Sequence, residues 1–227
     1  MSQDQWVELS TAHGPVRAWQ VLPLGAPRGA LVIIQEIFGA NAHIRAVCTR
    51  AAMAGYAVLA PSFFDLVAPP CTELDYGPEG VQRGLALVNE LGFERALDVV
   101  AAAAEHLKPY GPVGTSGYCW GGTVAMLAAQ RLGLPSASYY GARNVPFLDD
   151  PFKAPCIFHF GLLDASIPPE AVAAHRAKQP TLPVYEYPAD HAFNREIGRH
   201  YHAPSADLAR ERTLAFFAQH LRPGSQA

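Results

Sequence analysis

Cys119 stands in the run V-G-T-S-G-Y-C-W-G-G over residues 113–122, between an apolar strand start and the helix-forming stretch 123–132. A sharp turn from strand to helix needs small residues two before and two after its apex, because a Cβ there would strike the neighbouring strand or helix. Gly117 and Gly121 occupy those two places. Such an elbow holds the apical side chain above the sheet edge and aims the helix N-terminus at it, which favours a thiolate over a thiol. The chemistry implied is nucleophilic attack by sulfur. Ser116 would need a small residue at position 118, and Tyr118 breaks that pattern.

A nucleophile of this kind needs a base, and the base needs a group to orient it. In a mostly parallel sheet the loops at the carboxyl ends of the strands meet on one side, so residues just after strands are the candidates. Asp164 follows the apolar run 156–160 by way of Gly161-Leu162-Leu163, and His191 follows the run 184–187. The order is nucleophile, acid, histidine, with gaps of 45 and 27 residues. That is the chain order of the α/β-hydrolase fold, whereas two unrelated serine protease folds use other orders. Histidine would take the proton from the nucleophile and later help deliver water, while the aspartate would fix its tautomer and steady its charge. Two backbone N–H groups must also face the developing oxyanion, one after the nucleophile and one after an early strand. Trp120 and, by position, Ile37 supply them.

These residues require an α/β architecture to carry them. Residues 6–10 and 16–22 read as an antiparallel hairpin at a sheet edge, joined by His13-Gly14-Pro15. Buried strands are predicted at 30–35, 56–60, 111–116, 136–140, 156–160 and 183–187, with helices at 42–54, 81–91, 93–107 and 203–220. The Pro-, Asp- and Gly-rich stretch 62–80 reads as a long loop of the kind that caps a binding site. Strands alternating with helices imply a mostly parallel central sheet covered on both faces, in a single domain over residues 1–227.

Composition narrows the partners. Acidic residues outnumber basic ones, 20 to 17, and no Lys/Arg stripe appears, so nucleic acid and anionic membranes are poor partners. No signal peptide pattern and no apolar run long enough to span a bilayer is present, which predicts a cytoplasmic location. Four well-separated cysteines without a C-x-x-C pair argue against a disulfide framework and a zinc site. No metal or organic cofactor is expected. Cys48, Cys71 and Cys156 read as small buried hydrophobes, His159 as structural, His13, His43, His200 and His202 as ordinary loop histidines, and Asp190 as a turn residue.

Five motifs recur in order across most of the chain: Q-E-I-F-G at 35–39, G-Y-C-W-G-G at 117–122, Y-Y-G at 139–141, F-H-F-G-x-x-D at 158–164 and D-H-A-F at 190–193. Together they resemble the dienelactone hydrolase family of α/β-hydrolases. The resemblance implies a triad of Cys119, Asp164 and His191, with Glu36 near the thiol and helping to deprotonate it as substrate binds. It also implies two arginines for a substrate carboxylate, one on the helix after the long loop and one four residues after the histidine, which correspond to Arg83 and Arg195. Leu87 and Glu90 stand where the family carries aromatic residues, and Trp120 replaces a small aliphatic one, so the pocket walls should differ. The function expected is hydrolysis of a small, carboxylate-bearing lactone or enol ester by a monomer or small homo-oligomer. The alternatives are a general carboxylesterase of the same fold and a non-catalytic, redox-sensing protein built on it.

Overall fold

Five strands are buried along their whole lengths, as strands covered on both faces must be: β3 (Ala30–Ile34), β4 (Ala57–Pro61), β5 (Val113–Tyr118), β6 (Ser136–Tyr139) and β7 (Cys156–Gly161). The computed structural model describes residues 3–222. These five strands run parallel, and β8 (Val184–Tyr187) joins them beside β7. A hairpin of β1 (Gln3–Thr11) and β2 (Gly14–Leu22) closes the other edge, with β2 antiparallel to β4. The resulting order is β1-β2-β4-β3-β5-β6-β7-β8. The sequence-based expectation of a mostly parallel α/β sheet with an antiparallel edge hairpin holds. The first hairpin strand is longer than expected because its ladder runs unbroken from Gln3 opposite Leu22 to Thr11 opposite Gly14.

Helices cover both faces. Asn41 caps α1 (Ala42–Met53), its side-chain oxygen accepting the Ile44 N–H at 3.3 Å. The next helix, α2 (Pro78–Leu107), starts on a proline at its first turn and breaks at Gly92, whose φ of 71° lies in the left-handed region. That break separates the two helical segments predicted on either side of position 92. Because α2 begins at Pro78, the long loop is shorter than the expected 62–80, and its first turn is anchored by the fully buried Phe63 and Phe64. The remaining helices are α3 (Trp120–Arg131), α4 (Pro169–Lys178) and α5 (Ala203–His220). In α4 only Val172 and His175 are buried, which explains why its sequence carries little helical periodicity. Among the described residues no helix is long and apolar enough to cross a membrane.

Candidate active site

The β5–α3 junction is a tight turn, and its sterics show why the glycines stand where they do. Cys119 has φ 55° and ψ −118°, a conformation that L-residues adopt only under constraint. A Cβ at position 117 would lie 1.8 Å from the Gly121 carbonyl oxygen, and one at 121 would lie 2.3 Å from the Gln35 carbonyl oxygen. Both clashes are with backbone, which cannot step aside. The Cys119 N–H is fixed by the Tyr139 carbonyl at 3.0 Å, so the next strand also holds the apex.

Cys119 opens into a cavity of about 400 Å³ whose lining includes Trp120, Glu36, Ile37, His191 and Arg195. His191 shares a 2.6 Å hydrogen bond through Nδ1 with Asp164 Oδ2, and the Asp164 side chain is wholly shielded from solvent. Burial opposes a charge on His191. Cys119, however, adds an opposite charge and a hydrogen bond, and Asp164 adds the same, so the imidazole is held well above its ordinary value. Tyr140 packs on that ring at 5.1 Å between centroids. Asp190 is the predicted turn residue, accepting the His191 N–H at 2.7 Å and bonding the His200 ring at 2.7 Å.

Glu36 is nearly inaccessible and lies 3.3 Å from Arg195 Nη1. Burial raises its carboxyl above the usual glutamate value, while Arg195 and His191 pull the other way. Its Oε1 has no hydrogen-bond partner among the described residues. Arg195 is only 11% exposed at its side chain and is stacked 4.2 Å from the Tyr76 ring centroid, with Phe38 at 5.7 Å. The loop bearing Ile37 is clamped by α2: a Cβ on Gly84 would come within 2.1 Å of the Ile37 carbonyl oxygen. The Ile37 N–H donates to no backbone acceptor among the described residues, and Trp120 begins α3, where the first N–H groups have no partner within the helix. Neither amide has a backbone partner among the described residues, and both residues line the cavity.

One predicted site residue is not gathered here. Arg83 is exposed and does not line the cavity. Gly84 packs on the Ile37 loop, and the cavity-facing stripe of α2 runs through Val81 and Leu85. Residue 83 lies two positions from each, about 160° round a 3.6-residue helix. Leu87 is buried in the core and Glu90 faces solvent, so Leu85 and not either of these forms the wall beside α2. Trp120 lines the cavity while stacking near-parallel on Phe93 at 6.4 Å.

Three further expectations need correction. Cys71 is half-exposed and not a buried hydrophobe, His43 is buried inside α1 and not in a loop, and His200 lines the cavity. The cavity residues that sequence reasoning missed include the polar Tyr76, Arg143, Ser166 and His200 and the apolar Val81 and Leu85. A signal for Arg143 existed, since it follows the Y-Y-G at 139–141 in a strand-end loop. Burial pushes the thiols of Cys48 and Cys156 far up from the ordinary cysteine value. Iodoacetamide at neutral pH should accordingly label Cys119 and Cys71 in the native protein and spare Cys48 and Cys156, read by peptide mass spectrometry. Labelling of all four at equal rates would contradict the packing described.

Known proteins are similar to this chain along most of its length. The family model for the dienelactone hydrolase family matches residues 16–221. The chain belongs to the dienelactone hydrolase family. A carboxymethylenebutenolidase of Pseudomonas putida is 34% identical to this family member over 212 residues, covering 86% of this chain and 88% of the relative. One from Cupriavidus pinatubonensis is 30% identical over 199 residues, covering 83% and 85%. Among solved structures, a Klebsiella pneumoniae protein assigned to the dienelactone hydrolases superposes with a TM-score of 0.86 at 28% identity, covering 96% of this chain and 99% of that one.

Proposed function

We propose that this dienelactone hydrolase family member cleaves a small lactone or enol ester bearing a carboxylate, by way of a thioester on Cys119. One juxtaposition carries the reading: a cysteine on a strained elbow, a histidine bonded to a buried aspartate and two unpaired amides border a single cavity. The carboxymethylenebutenolidase names of the relatives support the substrate class.

In the resting site Glu36 is neutralised by Arg195. A substrate carboxylate that draws Arg195 away leaves Glu36 buried without its counter-ion, which makes it a stronger base for the Cys119 proton. The thiolate then attacks the carbonyl carbon, and the oxyanion is held by the Ile37 and Trp120 N–H groups. Collapse breaks the ester C–O bond, and the departing enolate takes a proton from the His191 imidazolium. Neutral His191 removes a proton from water as it attacks the thioester, and the Cys119 thiolate leaves. Asp164 holds the ring oriented throughout.

The test is a comparison of kcat/KM on a dienelactone and on a neutral p-nitrophenyl ester, with trapping of the acyl-enzyme by intact-mass spectrometry. A clear preference for the lactone together with one acyl adduct on Cys119 supports the reading. No turnover of either substrate would overturn it. Arg195→Ala should lower kcat/KM for the carboxylate-bearing lactone by about 10- to 100-fold, the worth of a charge-assisted hydrogen bond, and affect a neutral ester much less. Equal losses on both substrates would remove Arg195 from anion binding.

A further inference from the structure

Resting on that reading, we propose that Arg143 is a specificity-determining residue: it receives the substrate's carboxylate at the cavity wall, in the place that α2 does not fill with Arg83. Of the two guanidinium groups lining the cavity, Arg195 is committed to Glu36 at 3.3 Å. Arg143 has no carboxylate within ion-pair distance among the described residues. Its side chain donates from Nη1 to Asn89 Oδ1 at 2.8 Å, a neutral acceptor, which leaves the charge uncompensated and further N–H donors available.

The position is built. The loop after β6 is held where Arg143 N–H donates at 3.2 Å to the Oγ1 of Thr123, which is fully buried in α3 next to the elbow. Two residues earlier, Gly141 admits Asn144 and Ser138 so closely that a Cβ would lie 2.6 Å from Asn144 Oδ1 and 2.8 Å from Ser138 Oγ. The loop therefore runs in one path. From the other side, Asn89 extends the Val81–Leu85 stripe of α2 by one more turn, i, i+4, i+8, and reaches the guanidinium from that wall. A half-buried arginine steered by a neutral amide and facing a cavity with a nucleophile at its base suits bidentate capture of a carboxylate.

Division of labour follows. An anionic group on Arg143 would fix the substrate's far end, while Arg195 is exchanged between Glu36 and substrate. Asn89 acts as a positioning residue for the Arg143 fork.

Two measurements test this. In steady-state kinetics, Arg143→Ala should raise KM for a carboxylate-bearing lactone by about 10-fold or more, with kcat/KM for its neutral methyl ester within twofold of wild type. Arg143→Lys should restore only part of the loss, because an ammonium cannot bind bidentately. Retained methyl ester turnover shows that the variant is folded. An equal change on both substrates, or none on either, overturns the proposal. Independently of any turnover, succinate titrated calorimetrically should bind the wild-type protein at least 10-fold more tightly than Arg143→Ala. Equal succinate affinity overturns the proposal even where the hydrolase reading stands. If wild-type protein turns over no ester but succinate binding depends on Arg143, the hydrolase reading fails and the anion site survives.

Discussion

Cys119→Ala is expected to lower kcat/KM on any lactone or ester substrate by about four to six orders of magnitude, with little change in thermal stability. The size follows from cooperation: a nucleophile and its base act as a unit, so removing one costs nearly as much as removing both, and what remains comes from the oxyanion donors and substrate binding. Stability should change little because Ala and Cys meet the same backbone requirement at φ 55° and the backbone hydrogen bond from the residue 119 N–H to the Tyr139 carbonyl is kept. The variant has a second readout. Loss of the sulfur removes the Coulombic and hydrogen-bonding contributions of Cys119 that raise His191, leaving burial to lower it against Asp164 alone, so the imidazole should titrate at a lower pH than in wild type, followed by NMR. The sign for stability is the corresponding one. Stabilisation by protonated His191 is fully present below its ordinary value and is lost as pH rises through its raised one, so Cys119→Ala should lose it at a lower pH. Activity within tenfold of wild type would end the cysteine mechanism.

Gly117→Ala carries the second large effect, this time on folding. The added methyl carbon would lie 1.8 Å from the Gly121 oxygen and 2.3 Å from its carbonyl carbon, both backbone atoms of the elbow. Relief requires β5 and α3 to separate, and α3 is buried along nearly its whole length. A loss of about 4 kcal/mol or more is expected, a magnitude reserved for overpacking and strain at special backbone positions. For a chain of this size that is a fall in Tm of about 8–16 °C. Gly25→Ala is the matched control, since nothing lies within 4 Å of its Cβ position and its φ is not left-handed. It should melt within a degree or two of wild type. An unchanged melt for Gly117→Ala would mean that the elbow is not the constraint described.

The elbow was legible in the sequence because its cause is local. Gly117 answers to Gly121 four residues on, a clash that needs no distant contact to read, although Gly121 itself is held small by the Gln35 and Ile34 carbonyls at the end of β3. Strands β3, β4 and β7 were legible for a similar reason: a mainly apolar run of five or six residues is the signature of burial on both faces. The order of Cys119, Asp164 and His191 then followed from topology, since parallel strands bring their carboxyl ends to one side.

The charges of the cavity were not legible in the same way. Arg83 and Arg143 are both arginines near a predicted strand end or helix start, and only packing separates them. The phase of α2 is set by Gly84 closing on the Ile37 carbonyl, a contact across 47 positions that turns residue 83 outward and leaves residues 81, 85 and 89 facing the cavity or its rim. Glu36 and Arg195 are 159 positions apart, and nothing in either local sequence records that they meet in a buried pair. The burial of His43 and the exposure of Cys71 likewise depend on what α1 and the long loop pack against. From the sequence alone came the α/β order, the elbow and the candidacy of Cys119, Asp164 and His191, consequences of short-range sterics and strand polarity. Tertiary structure alone decided which guanidinium groups line the cavity with Cys119 and in which direction the carboxyl of Glu36 and the imidazole of His191 are pushed from their ordinary values, because helix phase, burial and Coulomb energy all depend on distances between segments far apart in the chain.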